Sequence, residues 1–312
     1  MLYIVGVRNN IMQWYQRKEY AAGNLRLYLS LFVYKIFGRQ GLDIIIFFVT
    51  LISFVFFKTV RVYSKNYLIV MSELINIKPT LLNQFKHCYS FAKSLGDKLE
   101  IYSDNYKFSD IYFDDELLKK QVYEDIDKGN GVFFLCSHIG SIDVLRMFTR
   151  TRENVKVNIF VSKSQSQIFN SFLNKISKIS PVNTYCVDEI GIDTSITLKE
   201  SLDEGNLAFI AADRISENEN ATGFIAKFLG KDVKFPLGSF KLAQIMGVPI
   251  YFIVAVKDKN SKFKVIIKKH NFTDLENLKT DYLDFLEHLV KQYPLQYYQF
   301  YDFFEPQRPY KQ

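Results

Sequence analysis

The pattern of apolar and polar positions changes character about a third of the way along the chain. Before that point the apolar residues come in long blocks. Leu25 to Phe37 is one block. Leu42 to Phe57 (LDIIIFFVTLISFVFF) is a second, with Asp43 as its one charge and Arg39, Lys58 and Arg61 at its flanks. As a helix this second block rises ~24 Å, short of the ~30 Å hydrocarbon core of a bilayer. It reads as a borderline span or as a segment embedded at the membrane interface; a buried core helix is the alternative. Basic residues on both sides leave its orientation open. It is not a cleavable signal peptide, because it starts far into the chain and no small-residue cleavage site follows. Val60 to Ile75 and Leu81 to Leu95 then carry a helical period, separated by Lys78-Pro79.

From Phe108 onward short apolar runs alternate with amphipathic stretches. The expected strands are Phe108–Phe113, Val132–Cys136, Val157–Val161, Val182–Val187, Leu207–Ala211, Ile250–Val256 and Phe263–Ile267. The expected helices are Asp115–Asp127, Ser141–Thr151, Ser166–Ile179, Thr194–Glu204, Leu237–Met246 and Leu275–Gln292. Such alternation predicts an α/β fold: a central mixed, largely parallel sheet covered by helices. The chain divides into a helical, membrane-anchoring region at 1–100 and an α/β domain at 101–312. Ser216 to Thr222 (SENENAT) is the expected mobile loop.

Composition narrows the partners. Hydrophobic residues are 48% and aromatics 16% of 312 residues, which excludes wholesale disorder and exceeds what a core needs. An apolar partner such as lipid fits that excess. The net charge of +7 is spread out, apart from a loose cluster at Lys58, Arg61 and Lys65. Nucleic-acid binding is not expected, since there is neither a concentrated patch nor a recognisable module. A diffuse positive field suits anionic lipid or an acidic carrier protein. Cys88, Cys136 and Cys186 have no metal-ligand spacing, and no metal site is expected.

The most informative stretch is Gly131 to Arg146 (GVFFLCSHIGSIDVLR). A buried strand leads to His138, and Asp143 follows five positions on. On one helix five positions is about 500°, which separates the side chains. A strand–turn–helix layout, with Ser141 as N-cap, lets the carboxylate reach back to the imidazole. A His–Asp pair supports general-base catalysis, the carboxylate fixing the tautomer. No G-x-S-x-G elbow supplies a nucleophile, and Cys136 is expected to pack as a small hydrophobe. The base then acts on a substrate hydroxyl or amine. The bland reading is a capped helix with a solvated histidine.

Ser137-His138-Ile139-Gly140-Ser141-Ile142-Asp143 resembles the first block of the lysophospholipid acyltransferase superfamily, in its lipid A late acyltransferase-like branch. Further segments are similar in the same order: Trp14 to Glu19 with the apolar blocks, Leu207 to Arg214, Phe228-Leu229-Gly230, Phe235-Pro236-Leu237-Gly238, Gly247 to Ile250, and Tyr293 to Phe300. The likeness runs from about residue 12 to residue 304.

The resemblance implies a glycerolipid-acyltransferase-like fold and a membrane-associated acyltransferase. The donor would be an acyl thioester on acyl-carrier protein or coenzyme A, the acceptor a hydroxyl of a lipid or glycolipid. It needs no cofactor beyond the thioester co-substrate. The location implied is the bacterial inner membrane, with the catalytic domain facing the cytoplasm. His138 becomes the base and Asp143 its orienter, with backbone amides around Gly140 and Ser141 holding the oxyanion. Lys163, after the second strand, is matched to a phosphate or donor contact; a solvated loop lysine is the other reading. Leu237 stands where glycerolipid acyltransferases carry a glutamate, so the acidic role passes to Asp213. Arg214 is assigned to substrate, with an ion pair to Asp213 as the alternative. His87, His270 and His288 have no paired context and are expected to be structural or exposed. The missing glutamate motivates a second function: a non-catalytic lipid or carrier-protein binding module on the same scaffold. A hydrolase releasing the acyl group to water is a third.

Overall fold

The computed structural model describes residues 24–103, 108–144, 155–161, 182–215, 222–271 and 273–304. The two amino-terminal apolar blocks join into one helix, α1 (Asn24–Phe56), bent at Gly38, whose φ of 63° interrupts helical geometry. α2 (Lys58–Ile75) follows after Phe57 alone, and α3 (Leu81–Tyr102) is N-capped by Thr80. α3 thus runs across the division expected at residue 100.

The α/β part comprises β1 (Ile111–Phe113), α4 (Glu116–Asp127), β2 (Val132–Gly140), β3 (Val157–Val161), β4 (Val182–Cys186), α5 (Ile192–Asp203) and β5 (Leu207–Ala211). Then come β6 (Gly223–Phe228), β7 (Lys231–Pro236), α6 (Leu237–Met246), β8 (Ile250–Lys257), β9 (Phe263–His270) and α7 (Leu275–Gln292). Seven strands form one sheet in the order β1-β9-β8-β2-β5-β3-β4. β8, β2, β5, β3 and β4 run parallel; β9 is antiparallel to β8, and β1 parallel to β9. The expected α/β class with a largely parallel mixed sheet is what is observed.

Alternate residues of the central strands feed two cores. Phe133, Leu135, Ala208, Ile210, Phe252 and Val254 face α2, α5, α6 and α7. Phe134, Cys136, Phe209, Tyr251 and Ile253 face α4 and parts of α1 and α3. Burial on both faces explains why these strands read as continuous apolar runs. α2 belongs to the same body, since Leu68 and Met71 are fully buried in the first core.

Two features depart from the expected elements. β2 continues past Cys136 to Gly140, so His138 lies on a strand and not in a loop. The β6–β7 hairpin had no counterpart in the sequence reading. Its two-residue turn is Leu229-Gly230, with φ of 52° and 74°. Leu229 occupies a left-handed position usually signalled by Asn, Asp or Gly, which hides the turn. The helix expected at Ser141–Thr151 is described only to Val144, as a short turn at 142–144; the remainder, the helix at Ser166–Ile179 and most of the Ser216–Thr222 loop lie outside the described residues.

One buried polar clamp ties the helical layer to the carboxy-terminal segment. His87 on α3 is fully buried. Its Nε2 donates to the Tyr297 carbonyl at 2.9 Å, so Nδ1 accepts from the Ser64 hydroxyl of α2 at 3.0 Å. Burial lowers its pKa to about 4, against an ordinary 6.5. The unfolded chain therefore takes up this proton first as pH falls. Stability present above pH ~6.5 is lost progressively toward pH ~4. Urea unfolding at pH 7 and pH 5 should show a loss of roughly 2 kcal/mol from this group, and that increment should vanish in His87→Gln.

Candidate active site

The site forms where β2 and β5 end side by side. The two strands pair in parallel, with Cys136 opposite Ala211, and the ladder continues through the Ala212 amide donating to the Cys136 carbonyl at 3.0 Å. Two residues further along each strand, His138 and Asp213 meet. The His138 backbone amide donates to Asp213 Oδ2 at 2.9 Å, and its ring Nδ1 lies 2.8 Å from Oδ1. Asp213 is fully buried, while the His138 side chain keeps 26% of its surface exposed. Nε2 contacts no protein group among the described residues.

The expected partner of His138 was Asp143, and here the structure corrects the sequence. Asp143 Oδ1 lies 3.6 Å from Lys98 Nζ on α3 and is not bonded to the imidazole. The reason is the path of β2. Between Cys136 and Gly140 it bulges against β8, four steps on β2 matching two on β8. Gly140 then turns at φ 65°, where an added Cβ would overlap the Ala255 carbonyl oxygen. This bend carries Asp143 toward α3 while the imidazole stays beside β5. Asp213, expected at substrate, instead fills the orienting role, since no surface of it is left for a ligand.

Electrostatics define the protonation state. Burial would raise the Asp213 carboxyl, but the His138 ring, the hydrogen bonds it receives and nearby Arg214 outweigh this and hold it low. An ionised carboxylate only accepts, so Nδ1 of His138 carries the proton and Nε2 presents a lone pair. Burial, then Arg214, lowers the imidazole pKa below its ordinary 6.5, against the opposing pull of Asp213. At neutral pH the ring is uncharged, with its Nε2 lone pair available as a base.

A further residue, missed in the sequence reading, completes the arrangement. Gln299, buried in the carboxy-terminal segment, donates from Nε2 to Asp213 Oδ2 at 3.0 Å and accepts from Arg214 Nε at 2.9 Å. Arg214 also bonds the Tyr298 carbonyl and lies 5.5 Å over the Tyr301 ring. Those bonds give Arg214 a structural occupation. The same segment is pinned to the strand, with the Tyr298 amide donating to the His138 carbonyl at 3.1 Å. A lone polar residue within the aromatic run Tyr297 to Phe300 was the available signal.

The remaining expectations divide. Ser141 does not offer its amide to an oxyanion, because that amide donates to the Ala255 carbonyl at 2.8 Å. Gly140 and Ser141 instead line a cavity of about 250 Å³ beside the site, together with Lys86, Lys93 and Lys257. His138 itself does not line that cavity. Lys163 lies outside the described residues. Cys136 is buried, and desolvation pushes its thiol well above the ordinary range, so it packs inertly as expected. His270, expected to be structural or exposed, is buried and bonds Asp281 at 2.9 Å, far from this site in sequence. Among the described residues no cluster of His, Cys, Asp and Glu could hold a metal ion. No protein-family model matches the chain, and no curated protein sequence matches it significantly.

Two variants test this geometry without any assay of turnover. Asp213→Asn removes the one group that raises the His138 pKa, so NMR titration should place that ring lower than in the wild type. Gln299→Leu strands a buried carboxylate and a guanidinium, and should cost about 1–3 kcal/mol in urea unfolding.

Proposed function

We propose that this chain is a membrane-associated acyltransferase in which His138 is the general base. The observation that carries the reading is the neutral imidazole held by a buried carboxylate, its side chain partly exposed. It is joined by the block similarity of the sequence to lipid A late acyltransferase-like proteins. A base with no protein nucleophile beside it suits direct transfer between two substrates.

In this reading Nε2 takes the proton of an acceptor hydroxyl as its oxygen attacks the carbonyl carbon of an acyl thioester. The tetrahedral intermediate collapses, the C–S bond breaks, and the thiolate leaving group recovers the proton from the imidazolium. Asp213 stabilises that imidazolium and fixes the ring, with Gln299 holding Asp213. Asp143 acts at one remove. It positions Lys98, whose positive charge is felt at His138 and suits the developing oxyanion. The donor is acyl-carrier protein or acyl-CoA, and the acceptor a lipid or glycolipid hydroxyl. The apolar α1, whose Leu31–Phe56 stretch is long and apolar enough to cross a membrane, supports membrane association; the sequence resemblance adds a location at the bacterial inner membrane, with the catalytic domain facing the cytoplasm.

Membranes incubated with radiolabelled acyl-acyl-carrier protein, with labelled lipid as the readout, test the proposal. His138→Ala should fold and form no labelled lipid; retained transfer rejects the role. Asp213→Asn should lower kcat by roughly 10²–10⁴-fold and Lys98→Met by about tenfold or more. Because the base must be neutral and its pKa is lowered, the rate should hold down to pH ~6.5 and fall only at more acid pH.

A further inference from the structure

We infer that α1 lies flat in the lipid–water interface of one leaflet, as an in-plane docking surface, and does not cross the bilayer. Beyond Gly38 the helix runs antiparallel to α3 and stays on it throughout. At one end Arg39 pairs with Asp97 and, at 2.9 Å, with Glu100. Next, Ile46 presses on Gly96, where an added Cβ would come within 2.6 Å of its side chain. Further on, Phe47 packs on Tyr89 with ring centroids 5.8 Å apart, and Phe54 on Phe85 at 5.5 Å. The buried positions Leu42, Thr50 and Phe54 fall on one stripe with Ile46.

The opposite stripe is bare and apolar: Ile44, Phe48, Ile52 and Phe56 are 55–76% exposed. Contiguous apolar surface of this kind marks a lipid or protein contact. The charges choose between them. Lys35 on α1, Lys58 and Lys65 on α2 and Lys86 on α3 are exposed, while Asp43 is held by Arg39 at 2.8 Å. Cations bordering an apolar face match an anionic lipid surface.

Topology then decides the orientation. A single crossing needs the helix ends on opposite sides of the membrane. Here Arg39 is tied to α3, and after Phe57 the chain enters α2, which is buried in the core and bonded through Tyr67 Oη to the Pro294 carbonyl at 2.8 Å. Both ends belong to one folded body. A crossing would also drag Lys86, Lys93 and Asp97 of α3 into hydrocarbon, where charge is unfavourable. Of the segment before Gly38, the described residues 24–37 rise ~21 Å. It too is held to the body, by Tyr34 Oη on Glu100 at 3.2 Å.

This placement sharpens the membrane association proposed above but stands without acyl transfer, because its test scores topology and not turnover. Gln40→Cys and Lys58→Cys, each in the full chain carrying Cys186→Ser, are exposed in sealed membrane vesicles to a membrane-impermeant maleimide. Both positions should label from the same side; labelling from opposite sides overturns the inference. Separately, the purified chain should sediment with phosphatidylglycerol–phosphatidylethanolamine vesicles. The double variant Phe48→Lys, Ile52→Lys, checked for folding by circular dichroism, should bind them roughly a hundredfold more weakly. Absence of binding by the wild type, or undiminished binding by the folded variant, overturns it equally.

Discussion

Parallel pairing of β2 with β5 is the constraint on which the chemistry depends. The register sets Cys136 against Ala211, and the shared direction of the strands brings the next residues out together at one sheet edge. His138 and Asp213 are neighbours for that reason. The contact is doubled, because the carboxylate takes both the ring and the backbone amide of the histidine. A buried carboxylate with these donors and Gln299 is fully satisfied, which is what permits an ionised group at 0% exposure.

The carboxy-terminal segment closes this arrangement from outside the sheet. Tyr297 bridges Ile139, Tyr298 bonds His138, and Gln299 reaches Asp213. His87 in turn anchors Tyr297 to α3, and α3 carries Lys98 and the apolar α1. One continuous set of contacts thus runs from the apolar α1 to the His138 imidazole.

Gly140 shows how a single backbone position arranges two side chains. Its left-handed φ and its close approach to Ala255 let β2 bulge and then turn. The turn leaves His138 of β2 beside Asp213 and delivers Asp143 to Lys98. Spacing along the chain brought attention to both acidic residues, but only the path of the strand assigns their roles.

Much of the fold was legible because it rests on local pattern. β3, β5, α6 and α7 fall where apolar period and flanking turn residues put them, since those signals report burial on one or two faces directly. The β6–β7 hairpin was hidden because Leu229 takes a backbone conformation its side chain does not advertise. In the site, His138 was legible as a base at a strand end, and Asp213 as an acidic strand terminus. Their pairing was not, because strand register is a property of the sheet and not of either segment. Gln299 stood out as a lone polar residue in an aromatic run, but its partner was hidden for the same reason, lying 86 residues away. Sequence by itself determined the α/β class, the apolar amino-terminal blocks and the titratable groups. Tertiary structure decided which carboxylate meets the imidazole and which stripe of α1 is left bare, since both follow from distant segments packing together.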